Sequence, residues 1–161
     1  MKSEDLKEKL DDFIQLFGSS SDKVKKQVNY YSTVNIATEL IRMENISNAK
    51  PYRVIISEYF DLIRSADLSN EPQNQVDLYK LYKSHVSRAG VYLMHEKGFK
   101  HKNSNLYKFI VLGILLDAFV YFNFKDTLPI YFPIFSLTLL CLGLFKTKKV
   151  IADKKAFGRG Y

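Results

Sequence analysis

The chain has little of the chemistry on which most enzymes and metal proteins depend. Its 161 residues include one cysteine, no tryptophan, three histidines, four prolines and seven glycines. Because Cys141 is the single cysteine, the chain cannot form an internal disulfide. Cys141 also has no metal-binding residue near it in the sequence with which it could form a metal site. The glycines are scattered, so there is no phosphate-binding loop, and neither an H-E-x-x-H motif nor a nucleophile elbow occurs. These absences predict a protein that is not an enzyme and that binds no cofactor or metal.

Negative charge is scarce in the last part of the sequence. From Met1 to Lys97 there are 14 Lys/Arg and 14 Asp/Glu, whereas from Gly98 to Tyr161 there are 10 and 3. The net charge of +7 therefore lies entirely in the region that also contains two long apolar runs. Lysines precede the first run and follow the second, a pattern typical of a membrane hairpin whose ends share the cytosolic or matrix side. Because this charge flanks apolar segments and forms no separate polar face, we do not expect nucleic-acid binding.

The two apolar runs are separated by only three residues. They span 109–124 and 128–145, which is 16 and 18 residues, and a spanning helix needs about 20. We therefore predict a two-helix transmembrane hairpin over 106–146, with helices at about 107–124 and 128–145. The short length leaves two alternatives open, namely a hairpin that re-enters one leaflet and a buried hairpin of a soluble protein.

Asp117 is the one charged residue within either run. A carboxylate in the middle of a membrane helix costs about 2.5–3.5 kcal/mol, so it needs an explanation. One hypothesis is a proton or ion relay, or a charge pair with another subunit. The other is a protonated carboxyl that bonds Ser136, Thr138 or a carbonyl of the neighbouring helix. Asp117, Ser136 and Thr138 form the candidate intramembrane polar site.

Apolar side chains at helical spacing dominate the first 98 residues, which predicts an all-α soluble domain. We expect a small antiparallel bundle of about four helices. The first helix has Leu6, Leu10, Phe13, Ile14 and Phe17 on one face; the second runs from Ser21–Asp22 through Ile41; the third begins at Pro51; and the fourth begins at Pro72 and ends at Gly98.

Basic segments flank the predicted hairpin on both sides. Residues 99–105 are predicted as a basic juxtamembrane linker, and residues 147–161 as a basic C-terminal tail. A cation near an anionic membrane surface contributes about 1 kcal/mol. Six lysines are therefore candidate contacts of lipid headgroups: Lys97, Lys100, Lys102, Lys146, Lys148 and Lys149.

Together these patterns predict a non-enzymatic integral membrane protein, a helical scaffold or accessory subunit of a larger membrane complex. Its N- and C-termini would lie on the cytosolic or matrix side of a bacterial or mitochondrial inner membrane. The expected partners are membrane lipids and either other membrane subunits or further copies of this chain. Two alternatives remain open: a pore-forming effector or its immunity partner, with Asp117 lining the pore, and a curvature-shaping hairpin.

Overall fold

The computed structural model describes residues 3–69, 71–125 and 132–161. It is mostly helical, with 77% helix, and this confirms the all-α prediction. The helices are α1 (Ser3–Phe17), α2 (Asp22–Gln27), α3 (Tyr30–Arg42), α4 (Lys50–Arg64), α5 (Pro72–Leu81), α6 (Arg88–Lys97), α7 (Ser104–Phe124) and α8 (Ile134–Ala152). A 3₁₀ turn (Ser47–Ala49) precedes α4, and a π-helical turn (Tyr82–Ser87) joins α5 to α6.

The chain divides into two compact units. The helical unit comprises Met1–Lys100 together with Lys155–Tyr161, and the hairpin unit comprises His101–Lys154. Two strands of two residues each, β1 (Lys100–His101) and β2 (Ala156–Phe157), pair with one another. The sequence predicted a soluble domain that ends at residue 98, whereas the structure adds the last seven residues to this unit.

The core of the helical unit follows from the amphipathic spacing of its helices. Leu6, Leu10, Phe13 and Phe17 of α1 are buried, as their spacing predicts, whereas Ile14 is exposed. They belong to a single apolar cluster with buried side chains of α3 and α4, among them Ile36, Leu40, Ile56, Tyr59 and Ile63.

Several predicted helix boundaries are confirmed. Pro51 lies in the first turn of α4 and Pro72 in the first turn of α5, where a missing N–H costs nothing. Gly98 ends α6 with φ 67°, in the left-handed region that glycine adopts without strain.

The prediction of one helix from Ser21 through Ile41 is wrong, because the chain breaks at Asn29. This residue has φ 51°, a conformation that asparagine tolerates better than most residues. In a continuous helix the Ser32 N–H would donate to the Val28 carbonyl. Instead, the Tyr59 hydroxyl donates to the Val28 carbonyl at 2.6 Å, and the Ser32 N–H donates to the Tyr161 carbonyl at 3.1 Å. Burial raises the pKa of Tyr59, which keeps its hydroxyl protonated as a donor.

The helical unit consequently has six α-helices within its described residues, where the sequence predicted about four. The break at Asn29 accounts for one additional helix. The π-helical turn accounts for the other, since it divides the predicted fourth helix into α5 and α6.

Residues Lys155–Tyr161, here called the return segment, dock onto the break at Asn29. The Ser32 hydroxyl donates to the Gly158 carbonyl at 2.8 Å and accepts from the Gly158 N–H at 2.9 Å. The Asn29 side-chain oxygen accepts from the Gly160 N–H at 2.7 Å. These residues were predicted to form part of a basic tail, but their polar backbone groups are bound by α3.

An aromatic side chain anchors the return segment in the core. Phe157 is buried, and its ring lies against Gly90 of α6. A Cβ atom at Gly90 would come within 2.6 Å of the ring, so the ring occupies the space that a side chain would need. Two residues before Phe157, the Lys155 carbonyl accepts a hydrogen bond from the Lys100 N–H at 2.9 Å. The chain therefore leaves the helical unit and re-enters it at two hydrogen-bonded residues.

We expect Ser32→Ala to destabilise the full chain by about 2 kcal/mol or more, because it leaves the buried N–H and carbonyl of Gly158 without their partner. Chemical denaturation followed by circular dichroism measures this. The matched control is Ser65→Ala, since the Ser65 hydroxyl is exposed and bonds only the nearby Leu62 carbonyl. Equal unfolding midpoints for the two variants would contradict the docking of the return segment.

Candidate functional site

Small residues line the contact between the two helices of the hairpin unit. A Cβ atom at Gly113 of α7 would lie 2.7 Å from the Ser136 Cα, and one at Gly143 of α8 would lie 3.3 Å from the Leu106 Cα. Both glycines therefore let the two backbones approach closely. The sequence contains no Gly-xxx-Gly pair, but Gly143 and the buried Thr147 form a small-xxx-small pair that marks this face.

Asp117 caps the beginning of α8. Its carboxylate is buried, with only 7% of the residue exposed. One oxygen accepts from the Phe135 N–H at 3.1 Å, and the other accepts from the Ser136 N–H at 2.8 Å. Residues at the start of a helix have N–H groups without an intrahelical partner. A residue in the middle of α7 thus supplies the acceptors that a helix normally obtains from its own N-cap side chain.

The remaining N–H groups of this turn are also satisfied. Pro133 precedes α8 and makes no side-chain cap hydrogen bond. The Ile134 N–H donates to the Phe132 carbonyl at 2.7 Å, and the Leu137 N–H donates to the Pro133 carbonyl at 3.2 Å. Together with the two bonds to Asp117, every N–H from residue 134 to residue 137 has an acceptor. The start of α8 therefore needs no water to satisfy these N–H groups.

The geometry favours a structural role for Asp117. A carboxylate accepts charge-assisted hydrogen bonds from backbone N–H groups, and negative charge is stabilised at a helix N-terminus. The sequence hypothesis named the side chains of Ser136 and Thr138 as partners. The structure brings Ser136 to Asp117 through its backbone N–H, whereas the Thr138 side chain is exposed.

The hairpin unit exposes an unusual amount of apolar surface. Only 11% of the most apolar window of α7 is buried. Across both helices, sixteen large apolar side chains among the described residues are exposed, and Phe122 and Phe145 reach 72% and 69%. Leaving such a side chain in water forgoes about 1.5–3 kcal/mol compared with burying it. The buried core helix of a soluble protein does not have this surface.

Among the described residues, α7 is the one helix long and apolar enough to cross a membrane. It has 21 residues, and its most apolar window of 18 residues has a mean hydropathy of 1.6. Its length of about 31 Å matches a hydrocarbon core of about 30 Å. The second predicted span, 128–145, falls partly on residues 126–131, which lie outside the described residues. The described α8 is not apolar enough over its length to cross a membrane, because Lys146, Lys148 and Lys149 lie in its last third. A second spanning helix therefore stays a prediction.

The six candidate headgroup lysines fall into two groups. Lys97 and Lys100 belong to the helical unit, where the Lys97 ammonium lies 3.7 Å from a Glu39 carboxylate oxygen. The other four belong to the hairpin unit, and Lys146 Nζ lies 4.9 Å from the centre of the Phe109 ring. Lys148 and Lys149 are exposed, whereas Lys102 is half-buried. The hairpin lysines therefore cluster at the open ends of α7 and α8.

Comparison with models of protein families, with curated proteins and with solved structures finds no match to this chain. Across residues 3–69, 71–125 and 132–161, no group of three or more His, Cys, Asp or Glu side chains could hold a metal ion.

We expect Asp117→Ala to accelerate hydrogen exchange at the Phe135 and Ser136 amides about tenfold or more, because each loses a charged acceptor. Exchange measured by mass spectrometry on peptides that cover the start of α8 tests this in detergent. Asp117→Asn, which keeps one carbonyl oxygen, should give an intermediate effect.

Asn123→Ala is the matched control for that experiment. Asn123 is a second polar residue of α7, but it is exposed and donates to the Phe119 carbonyl of its own helix at 2.7 Å. Its loss should leave exchange at α8 unchanged. If Asp117→Ala also left exchange unchanged, the capping role would be refuted.

Proposed function

We propose that this chain is a non-enzymatic integral membrane protein in which a hairpin anchors a helical unit to the membrane. The helical unit acts as a scaffold or accessory subunit of a larger membrane complex, on the cytosolic or matrix side of an inner membrane. The observation that carries the proposal is the exposed apolar surface of the hairpin unit, which extends around α7 and onto α8. Lipid is the surrounding in which this surface costs no free energy.

The charge of the hairpin supports an orientation. The helices run antiparallel, since Leu106 near the start of α7 lies against Gly143 in the middle of α8, whereas Gly113, farther along α7, lies against Ser136 at the start of α8. Lysines at the start of α7 and the end of α8 therefore lie at the same end of the hairpin: Lys102, Lys108, Lys146, Lys148 and Lys149. An excess of lysine at membrane flanks is typical of the cytosolic side.

The path of the chain supports the same orientation. Lys100 and Lys155 belong to one folded unit, and a backbone hydrogen bond of 2.9 Å joins them. The apolar segment between them therefore starts and finishes at one point of the helical unit. A folded helical unit does not cross the bilayer, so we expect both ends of the hairpin on the side where that unit lies.

The capping role of Asp117 weakens the argument for a pore. The pore hypothesis depended on a charge that faces a water-filled lumen. Both carboxylate oxygens instead accept hydrogen bonds from the backbone of α8. The same residue that was the reason to consider a pore thus has a role within one copy of the hairpin.

The first test removes the anchor. Because Lys100 and Lys155 are hydrogen-bonded, a Gly/Ser loop of about four residues can replace 101–154. We expect the full chain to resist alkaline carbonate extraction and the loop variant to appear in the soluble fraction with helical circular dichroism. Extraction of the full chain by carbonate would refute membrane integration.

Orientation can be tested in the same membranes by cysteine labelling. Cys141→Ser removes the native thiol, and Ser19→Cys and Ala152→Cys then introduce exposed thiols in the two units. A membrane-impermeant maleimide should label both from the same side. Labelling from opposite sides would contradict the common location of the two ends.

If the chain is a scaffold or accessory subunit, it should be extracted from the native membrane within a complex of defined size. We expect mild-detergent extracts of the native membrane to contain the chain in a particle larger than one 18.7 kDa copy with its detergent. The loop variant should be absent from that particle, and overexpression should leave the membrane potential unchanged. A single copy in the extract, or depolarisation, would favour the other hypotheses.

A curvature-shaping hairpin is the second candidate, and the unequal lengths of the two helices favour it. Within the described residues, the apolar part of α8, residues 134–145, is about 18 Å long, whereas the apolar part of α7, residues 109–124, is about 24 Å long. Lengthening this part by about 4 residues, toward a full span, should abolish any tubulation of reconstituted vesicles. Unchanged vesicle shape would eliminate this candidate.

A further inference from the structure

A cavity in the helical unit combines three positive charges with no carboxylate. It has a volume of about 270 Å³ and lies between α2, α5 and the return segment. Lys23, Lys26 and Arg159 supply its cations, and the other lining residues are neutral. A cavity with this wall attracts an anion, because its charges add and nothing in the wall opposes them.

The three cations are available to a ligand. None of them forms an ion pair among the described residues, whereas other cations of this unit, such as Lys9 and Lys80, do. Asp77 of α5 is engaged within its own helix: it accepts from Lys80 and Gln73, and hydrogen bonds to the Lys80 and Gln73 side chains lower its pKa. Among the described residues, no ion pair therefore neutralises Lys23, Lys26 or Arg159.

Arg159 is held in place before any ligand binds. Its guanidinium lies 4.7 Å from the centre of the Tyr79 ring. The glycines on either side of it are fixed by hydrogen bonds to Ser32 and Asn29. A positioned guanidinium presents a planar fork of donors that matches two oxygens of a phosphate or carboxylate.

Two glutamines stiffen the opposite side of the cavity. The Gln27 amide donates to the Leu68 carbonyl at 3.1 Å, and the Gln75 amide donates to the Ser69 carbonyl at 3.4 Å. These bonds join α2 and α5 to the segment that connects α4 and α5. The wall that carries Lys23 and Lys26 is thereby fixed relative to Tyr79.

Charge and size together select the ligand class. A phosphate monoester carries about −1.5 to −2 charges and three strong acceptor oxygens, which matches three cations better than a single carboxylate does. The volume is below the range of about 300–1,000 Å³ that is typical for drug-sized ligands. We infer that the cavity binds a phosphate monoester group, either on a small soluble ligand or on a lipid headgroup, through Arg159, Lys23 and Lys26.

The test uses the full chain labelled with ¹⁵N-glycine in maltoside micelles, whose headgroups carry no phosphate. The chain has seven glycines, and Gly160 lines the cavity while Gly113 and Gly143 lie in the hairpin unit. The probes are inorganic phosphate and, in a second arm, short-chain phosphatidic acid mixed into the micelles, with phosphatidylcholine for comparison. We expect a saturable shift of the Gly160 amide signal and no saturable shift at Gly113 or Gly143.

Charge removal identifies the residues that bind. Arg159→Gln and Lys26→Gln should each weaken binding about tenfold or more. Lys25→Gln is the matched control, because Lys25 belongs to the same short helix but lies over the Tyr30 ring, outside the cavity. An unchanged Gly158 signal in Arg159→Gln verifies that the return segment remains docked.

The two arms separate the sources of the phosphate. Saturation by inorganic phosphate supports the site with a soluble ligand, and saturation by phosphatidic acid alone supports it with a lipid headgroup. Absence of a saturable Gly160 shift in both arms overturns the inference. Equal weakening by Lys25→Gln also overturns it, because binding would then reflect general surface charge. The test does not depend on the scaffold role.

Discussion

The fold of the helical unit depends on how the break between α2 and α3 is closed. When Asn29 turns into the left-handed region, the Val28 carbonyl and the Ser32 N–H lose each other as partners. Both groups are buried, and each would cost about 1–3 kcal/mol if left unpaired. Tyr59 from α4 and Tyr161 from the return segment supply the missing donor and acceptor. Groups from distant parts of the sequence thus make the break tolerable, and they also fix α4 and the return segment to it.

The hairpin unit solves the same problem by similar means. Its second helix, α8, follows Phe132 and Pro133, and neither side chain can cap a helix. Asp117, eighteen residues before Phe135, instead accepts hydrogen bonds from the free N–H groups of Phe135 and Ser136. In both units a helix terminus is satisfied by a residue that is not its sequence neighbour. Each such bond contributes tertiary structure as well as helix capping, because it forms only when the two elements are correctly aligned.

Patterns that act over a few residues were predictable from the sequence. The spacing of apolar residues in α1, the prolines that begin α4 and α5, and Gly98 each reflect a local constraint. The break at Asn29 was not predictable, since Val24, Val28, Tyr31 and Val34 fit one continuous helix equally well. Its stabilising partners lie up to about 130 residues away, and spacing carries no information about them. For the same reason, the sequence predicted only a basic C-terminal tail for the last residues, although Phe157 is buried.

The candidate site was predictable in part. Asp117 stood out because a charge within an apolar run is costly, and the pairing with position 136 was anticipated. The donors in this pairing were not predictable, because a sequence displays side chains, whereas the groups that donate to Asp117 are backbone N–H groups.

The return segment follows the hairpin unit in the sequence but belongs to the helical unit, so the helical unit can be completed only after the hairpin segment has been made. Arg159 and Gly160 form part of the cavity wall, and they follow the apolar segment in the sequence. Neither the closed break at Asn29 nor the complete cavity can therefore exist until residues 101–154 have been made and their end has come back to Lys100. The three cations of the cavity are therefore brought together only after the residues that follow the hairpin have been made and have docked onto the break at Asn29.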